Sequence, residues 1–169
     1  TDYKNLAIES STAENILFDA YQIRGNASLL PGEYDLNFKI RVDHKDQYVL
    51  KISRPDADPE ALDFQQKLLK HVQESPEKIK APIAIKDKAS NLVSTYIDGS
   101  GRKRPVRLLS WIPGRLYHEV QPKRDSLRFS LGSICGKLCK SLQGFEHPKA
   151  HRTFEWDLAS SLWTIEHIG

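Results

Sequence analysis

The stretch Gln47–Ser53, QYVLKIS, constrains the fold more than any other part of this chain. Upstream of it, Phe38, Ile40 and Val42 alternate with polar neighbours, and the polar turn Asp43–Asp46 separates the two runs. Alternation with a period of two puts successive side chains on opposite faces of a strand, so each run is a strand with one apolar face. A short polar connection between two such runs makes them antiparallel neighbours. Pro31 and Gly32 turn the chain one strand earlier, so residues 27–53 read as a three-strand antiparallel meander. Lys51 stands in the middle of the return strand. It is either an edge-strand lysine facing solvent or a lysine held in a cleft to meet an anion.

The remaining elements follow from periodicity. Residues from Ser10 to Ile23 carry Ile16, Leu17, Ala20 and Tyr21 at helical spacing. Asp58 followed by Pro59 starts a second helix, with Leu62, Gln65, Leu69 and Val72 on one side. Two short strands surround the turn at residues 86–90, DGSG at Asp98–Gly101 is a hairpin tip, and PVRLLSWI is the last strand, ended by Pro113 and Gly114. From Pro122 to Phe145 the pattern changes to a long helical period through Leu127, Leu131, Ile134, Leu138 and Leu142. FEWDLASSLWTIEHI suggests a further helix. Two tryptophans on it, Trp156 and Trp163, call for a partner surface.

Composition excludes several classes. The net charge is only +3, and no apolar run approaches the ~20 residues that cross a bilayer. No signal peptide opens the sequence, so the expected location is cytoplasmic. The cluster Arg102, Lys103, Arg104 and Arg107 has no interleaved aromatics; it reads as a solvated hairpin tip rather than a nucleic-acid patch. Cys135 and Cys139, one helical turn apart, have no metal-ligand spacing and read as small buried apolar residues.

The order of sheet, inserted helix, sheet, short joint and helices is that of a protein kinase-like small lobe. Specific stretches carry a closer resemblance: GEYDLNF with Glu33, Asp35, Asn37 and Phe38, then VLKI at Val49–Ile52, LDFQQKLLKHV, LLSWIPG and GFEHPKAHRTFEWDL. Together they resemble the aminoglycoside phosphotransferase and choline kinase-like family. The branch is that of hydroxylysine kinase-like proteins and of kinase domains fused to class III aminotransferases. The resemblance covers about residues 12–160. It implies an α+β fold: a small lobe at 1–112, with an antiparallel sheet of about five strands and one inserted helix. Residues 113–169 would be the hinge exit and the first helices of an incomplete helical lobe.

The resemblance also implies roles. A triphosphate needs a fixed cation beside it, and Lys51 would contact its α and β phosphates. The loop from Pro31 to Asn37, with Asp35 and Asn37, would lie over those phosphates. Many relatives hold the lysine with a helix glutamate; Gln65 stands there instead, and can accept a hydrogen bond from Lys51 without offering charge. Glu60 and Asp63 sit roughly 140° and 160° round the helix from it, so neither replaces it simply. Main-chain atoms of Ser110 and Ile112 would meet adenine, with Trp111 between them.

The family's His-x-Asp-x-x-x-x-Asn loop is absent from this sequence, and its later Asp-x-Asp-like motif has no counterpart after the Pro113–Gly114 joint. The nearest approach, from His151, has Thr153 and Leu158 where Asp and Asn are required. The implied function is the amino-terminal part of an ATP-dependent small-molecule kinase acting on a hydroxyl. ATP and Mg²⁺ are the implied cofactors, with the metal ligands in a missing lobe and no catalytic residue in this chain. The implied partners are nucleotide, a small hydroxyl acceptor and, in the branch concerned, a fused aminotransferase domain. The alternative is a non-catalytic kinase-like module that binds or self-associates through Trp156 and Trp163.

Overall fold

The computed structural model describes residues 8–151 together with Asp157, Leu162, Thr164 and Ile165. Trp156 and Trp163, and the helix expected around them, lie outside the described residues. Helix α1 spans Ser10–Tyr21 and is followed by strands β1 (Asn26–Leu30), β2 (Leu36–Val42) and β3 (Lys45–Ile52). Helix α2 (Pro59–Glu74) is inserted before β4 (Ala84–Ile85), β5 (Ser94–Ile97) and β6 (Lys103–Ser110). Helix α3 spans Asp125–Ser141. The expected α+β arrangement is present, with six strands rather than about five.

All strand pairs are antiparallel, in the order β1-β2-β3-β6-β4, and β5 shares with β4 the far edge of β6. β5 pairs with Lys103–Val106 and β4 with Leu108–Leu109, so two short strands do the work of one broken one. The turn at 86–91 that separates them is built by Asp87, whose carboxylate accepts from the amides of Ala89 and Asn91.

Alternation divides the sheet into two different faces. Phe38 and Ile40 from β2, Leu50 and Ile52 from β3, and Val106 and Leu108 from β6 are all buried on one face. Ala13, Ile16, Leu17 and Tyr21 of α1 cover them, which explains the helical period of that first segment. The residues between them in sequence point the other way. The register sets Asn37 beside Lys51 and Lys51 beside Arg107, a rank of polar groups across three strands. Lys51 is therefore a central-strand residue facing away from the core, and the edge-strand alternative does not hold.

The basic cluster is not a solvated tip. Arg102 and Lys103 are exposed, but Arg104 and Arg107 are each only 2% exposed. Strand alternation carries them inside while carboxylates from elsewhere neutralise them: Asp98 for Arg104 and Asp35 for Arg107.

Helix α2 begins as its sequence requires, with the Asp58 carboxylate accepting from the Glu60 amide and Pro59 in the first turn. The segment after α3 packs against it. Phe145 and His147 pack against Phe64 with their rings tilted by 51° and 55°, and Phe145 also meets His71. His147 lies 3.2 Å from the Asp63 carboxylate, and Lys149 bridges Asp58 and Glu60 at 2.7 and 3.4 Å. The GFEHPKAH stretch thus ties the chain beyond α3 back to α2.

Helix α3 is shorter than the expected Pro122–Phe145 run, because the chain turns at Leu142–Gly144, where Gly144 takes φ +75°. Its apolar residues are exposed: Phe129 at 80% and Ile134 at 55%, with Leu131 and Leu138 similarly open. Cys135 and Cys139 are exposed with them, contrary to the expectation of burial, since nothing among the described residues covers that side of the helix. Among the described residues, no helix is long and apolar enough to cross a membrane.

Candidate nucleotide site

Each residue at the centre of the site owes its place to the strand period. Leu50 and Ile52 hold β3 against α1, which forces Lys51 onto the opposite face. There its ammonium donates to Asn37 Oδ1 at 2.5 Å and lies 3.2 Å from Asp35 Oδ2. Asn37 is the first polar residue of the facing strand, and its Nδ2 donates back to the Asp35 carbonyl at 3.2 Å. One amide side chain therefore ties the lysine to the loop between β1 and β2.

That loop is drawn tightly inward. A Cβ on Gly32 would stand 2.2 Å from Asn37 Nδ2 and 2.5 Å from the Asp35 carbonyl oxygen. Glycine at position 32 answers a close approach rather than an unusual φ. The space beneath it is filled by the Asn37 amide, and the cationic groups beside the loop come from the sheet.

Arg107 is the residue that sequence reasoning missed. Its Nη2 donates to the same Asp35 Oδ2 at 2.8 Å and to Ser53 Oγ at 3.3 Å. Its Nη1 donates to Gln65 Oε1 at 2.5 Å. Burial pulls the guanidinium below the ordinary arginine range, and the Asp35 charge opposes that shift. Two cations thus converge on one carboxylate, leaving an excess positive charge where the sheet face is partly open: Lys51 keeps 22% of its side chain accessible. A cation excess on a partly dry surface suits an anion such as phosphate.

Gln65 does not hold Lys51. Its carbonyl oxygen accepts from Arg107, whose forked side chain spans from β6 to α2, while the Lys51 ammonium pairs with Asp35 and Asn37. The adjacent Gln66 is buried with neither side-chain polar atom partnered. The signal for Arg107 was present in PVRLLSWI: Val106 and Leu108 bracket it just as Leu50 and Ile52 bracket Lys51.

The hinge is more occupied than expected. The Ser110 amide donates to the Ile83 carbonyl and its Oγ accepts from the Ile83 amide, both at 2.8 Å. The Trp111 amide donates to the Gln47 carbonyl at 2.7 Å. An adenine ring would have to use main-chain atoms other than those amides; the next is that of Ile112, and Pro113 has none. Ile112 is 38% exposed and so within reach of a ligand. Among the described residues no group of three or more His, Cys, Asp or Glu could hold a metal ion.

The geometry has counterparts in known proteins. A model of the phosphotransferase enzyme family matches residues 27–167. Hydroxylysine kinase of Bos taurus is 31% identical over 145 residues, covering 78% of this chain and 38% of that protein. Two solved structures share the fold. A microcompartment-associated aminopropanol kinase superposes with a TM-score of 0.65 at 17% identity, over 91% of this chain and 47% of its own. The amicoumacin kinase hAmiN, solved with AMP-PNP, Ca²⁺ and Ami, superposes with a TM-score of 0.69 at 15% identity, over 92% and 46%. The chain therefore spans less than half the length of these relatives. With most of its length matched, this chain belongs to the phosphotransferase enzyme family, and its sheet and helices have the kinase-like fold.

Proposed function

We propose that this chain forms the nucleotide-binding part of an ATP-dependent kinase that phosphorylates a hydroxyl group on a small molecule. Residues 1–112 are the small lobe in this reading, and residues 113–169 are the hinge exit and the start of a helical lobe. The observation that carries it is Lys51: a lysine in a central strand, turned away from the core, held by Asn37 and Asp35 beneath the β1–β2 loop. A flexible side chain restrained at the foot of a loop can meet the α and β phosphates of ATP as a fixed charge.

The reading divides the labour. Lys51, with Asp35 and Asn37 beside it, orients the triphosphate, and the main chain near Ile112 meets adenine. ATP is delivered with a divalent cation, which neutralises phosphate charge. The carboxylates for that cation, and the base that takes the hydroxyl proton, belong to the part of the relatives that this chain does not span. The uncovered apolar side of α3, with Leu131, Ile134 and Leu138, supports this division: it is the surface a helical lobe would cover. Hydroxylysine and aminopropanol, the acceptors in two relatives' names, are both amino alcohols, the acceptor class to test first. A cytoplasmic location fits ATP use and the free thiols of Cys135 and Cys139.

The test is Lys51→Met in the full-length natural protein, with AMP-PNP and Mg²⁺ binding followed by calorimetry. Affinity should fall at least about tenfold, the scale of one lost charge-assisted contact, with little change in melting temperature. Unchanged affinity would remove Lys51 from the site and the reading with it.

A further inference from the structure

We infer that Arg107 is a positioning residue that fixes Lys51 through the Asp35 carboxylate. The inference rests on the reading that Lys51 meets the nucleotide. The starting point is charge accounting on the sheet face opposite α1. The two cations, Lys51 and Arg107, face each other across β3 and β6 in register. Like charges on neighbouring strands repel, and with nothing between them Lys51 would swing toward solvent. Asp35 Oδ2 lies between them, 2.8 Å from Arg107 Nη2 and 3.2 Å from Lys51 Nζ.

Asp35 could serve there in two opposite ways. It could be a detachable plug that occupies the phosphate position until ATP expels it. It could be a fixed post that stays and holds the lysine. Burial decides between them. Arg107 is only 2% exposed, and Asp35 is its carboxylate partner. Expelling Asp35 would leave a buried guanidinium unpaired, which is far more costly than breaking an exposed pair. The remaining Arg107 contacts, to Gln65 and Ser53, are neutral and cannot replace that charge. Asp35 therefore stays with Arg107, and the loop that carries it stays with Lys51.

The helix partner that Lys51 lacks is replaced by a relay. Gln65 on α2 braces Arg107, Arg107 fixes Asp35, and Asp35 with Asn37 fixes Lys51. The lysine's holder thus comes from the phosphate-side loop, and α2 reaches it only at second hand. Arg107 itself does not face the ligand; Lys51 is the partly accessible member of the pair.

The experiment is a double-mutant cycle on AMP-PNP and Mg²⁺ affinity in the full-length protein, with melting temperature measured in parallel. Asp35→Asn and Arg107→Met should each weaken nucleotide binding about tenfold in protein that remains folded. The combined variant should be no weaker than the worse single one, because both break one relay. Arg107→Lys should recover part of the loss. Tighter binding in Asp35→Asn would make Asp35 a plug and overturn the inference. So would losses that multiply in the combined variant, or unchanged affinity in folded single variants. If a single variant fails to fold because it strands a buried charge, the combined variant, which strands none, carries the test. It should then bind about tenfold more weakly, and wild-type affinity would overturn the inference. Lys51→Met separates the two levels: if that variant binds normally, the nucleotide reading has failed, whatever Arg107 does.

Discussion

The two faces of the central strands are built from alternate residues of the same segments, yet they are held together by different physics. On the α1 side, Phe38, Leu50 and Leu108 need only fill space, and any side chain of similar size and polarity would serve. On the other side, Asn37, Lys51 and Arg107 need particular partners at particular distances, because a buried charge or amide without one is costly. The first face makes the sheet; the second gives the sheet something to do. The difference also teaches where damage should appear. Changes on the apolar face should cost stability and leave ligand affinity per folded molecule alone. A change at the partly exposed Lys51 should do the reverse, and a change that breaks the buried Arg107–Asp35 pair should cost both.

The largest effect on stability belongs to the apolar face. Leu50→Ala removes a fully buried side chain from the middle of the core, and should cost about 2–5 kcal/mol in urea unfolding. Nucleotide affinity of the protein that remains folded should be unchanged. A large loss of affinity in the folded fraction would show that the two faces are not separable.

Gly32→Ala comes next and crosses the divide. The added methyl must displace Asn37 or the Asp35 carbonyl, so the loop shifts at a cost of about 1–2 kcal/mol. Because those two residues hold Lys51, affinity for AMP-PNP should fall together with stability. Retained affinity at reduced stability would mean that the loop can move without disturbing the lysine. Lys51→Met, by contrast, should alter stability by less than about 1 kcal/mol, since its pair with Asp35 is partly exposed and solvent screens it.

The contrast between the faces also explains what could be read from sequence. The α1 face was legible because burial of apolar groups depends on spacing alone: Phe38, Ile40 and Val42, and the helix from Ser10, followed the period directly. Lys51 was legible as a question, and became a candidate only through the resemblance carried by the ordered motifs. For Arg107 the strand period gave the face, through Val106 and Leu108 on either side, but not the role, because its partners are distant: Asp35 is on another loop and Gln65 on a helix, and pairing across such gaps has no local signature. Grouping it with Arg102 and Lys103 as one basic tip treated neighbours in sequence as neighbours in space. The exposure of Cys135 and Cys139 had a similar origin: a helical stripe says which side is apolar, not whether anything covers it.

Arg104 is where the comparison can be pushed hardest, because alternation carries it onto the same side of β6 as Val106 and Leu108. It is a charge at the end of the apolar face, and Asp98 makes that tolerable by accepting from its Nε at 2.7 Å. Asp98 also accepts from the Ser100 hydroxyl and from the amides of Ser100 and Arg102. The Ser100 hydroxyl contributes most to holding the Asp98 carboxyl well below the usual carboxylate range, with desolvation opposing it and the Arg102 amide and Arg104 assisting. A depressed folded-state pKa stabilises the protein above the unfolded carboxylate value, near about 4, and that stabilisation is lost as pH falls toward the folded value. Stability measured by urea unfolding should therefore decline from about pH 5 downward, as protonation of Asp98 strands the Arg104 charge beside apolar neighbours. Asp98→Asn should be less stable at neutral pH and should show a shallower decline in acid, with the remaining slope carried by Asp46, Asp58, Asp63 and Asp87, whose carboxyls are also lowered. An acid slope identical in the two proteins would mean that the hairpin carboxylate does not govern Arg104. The apolar face would then tolerate a charge at its rim without help, and pairing would not be what separates the two faces.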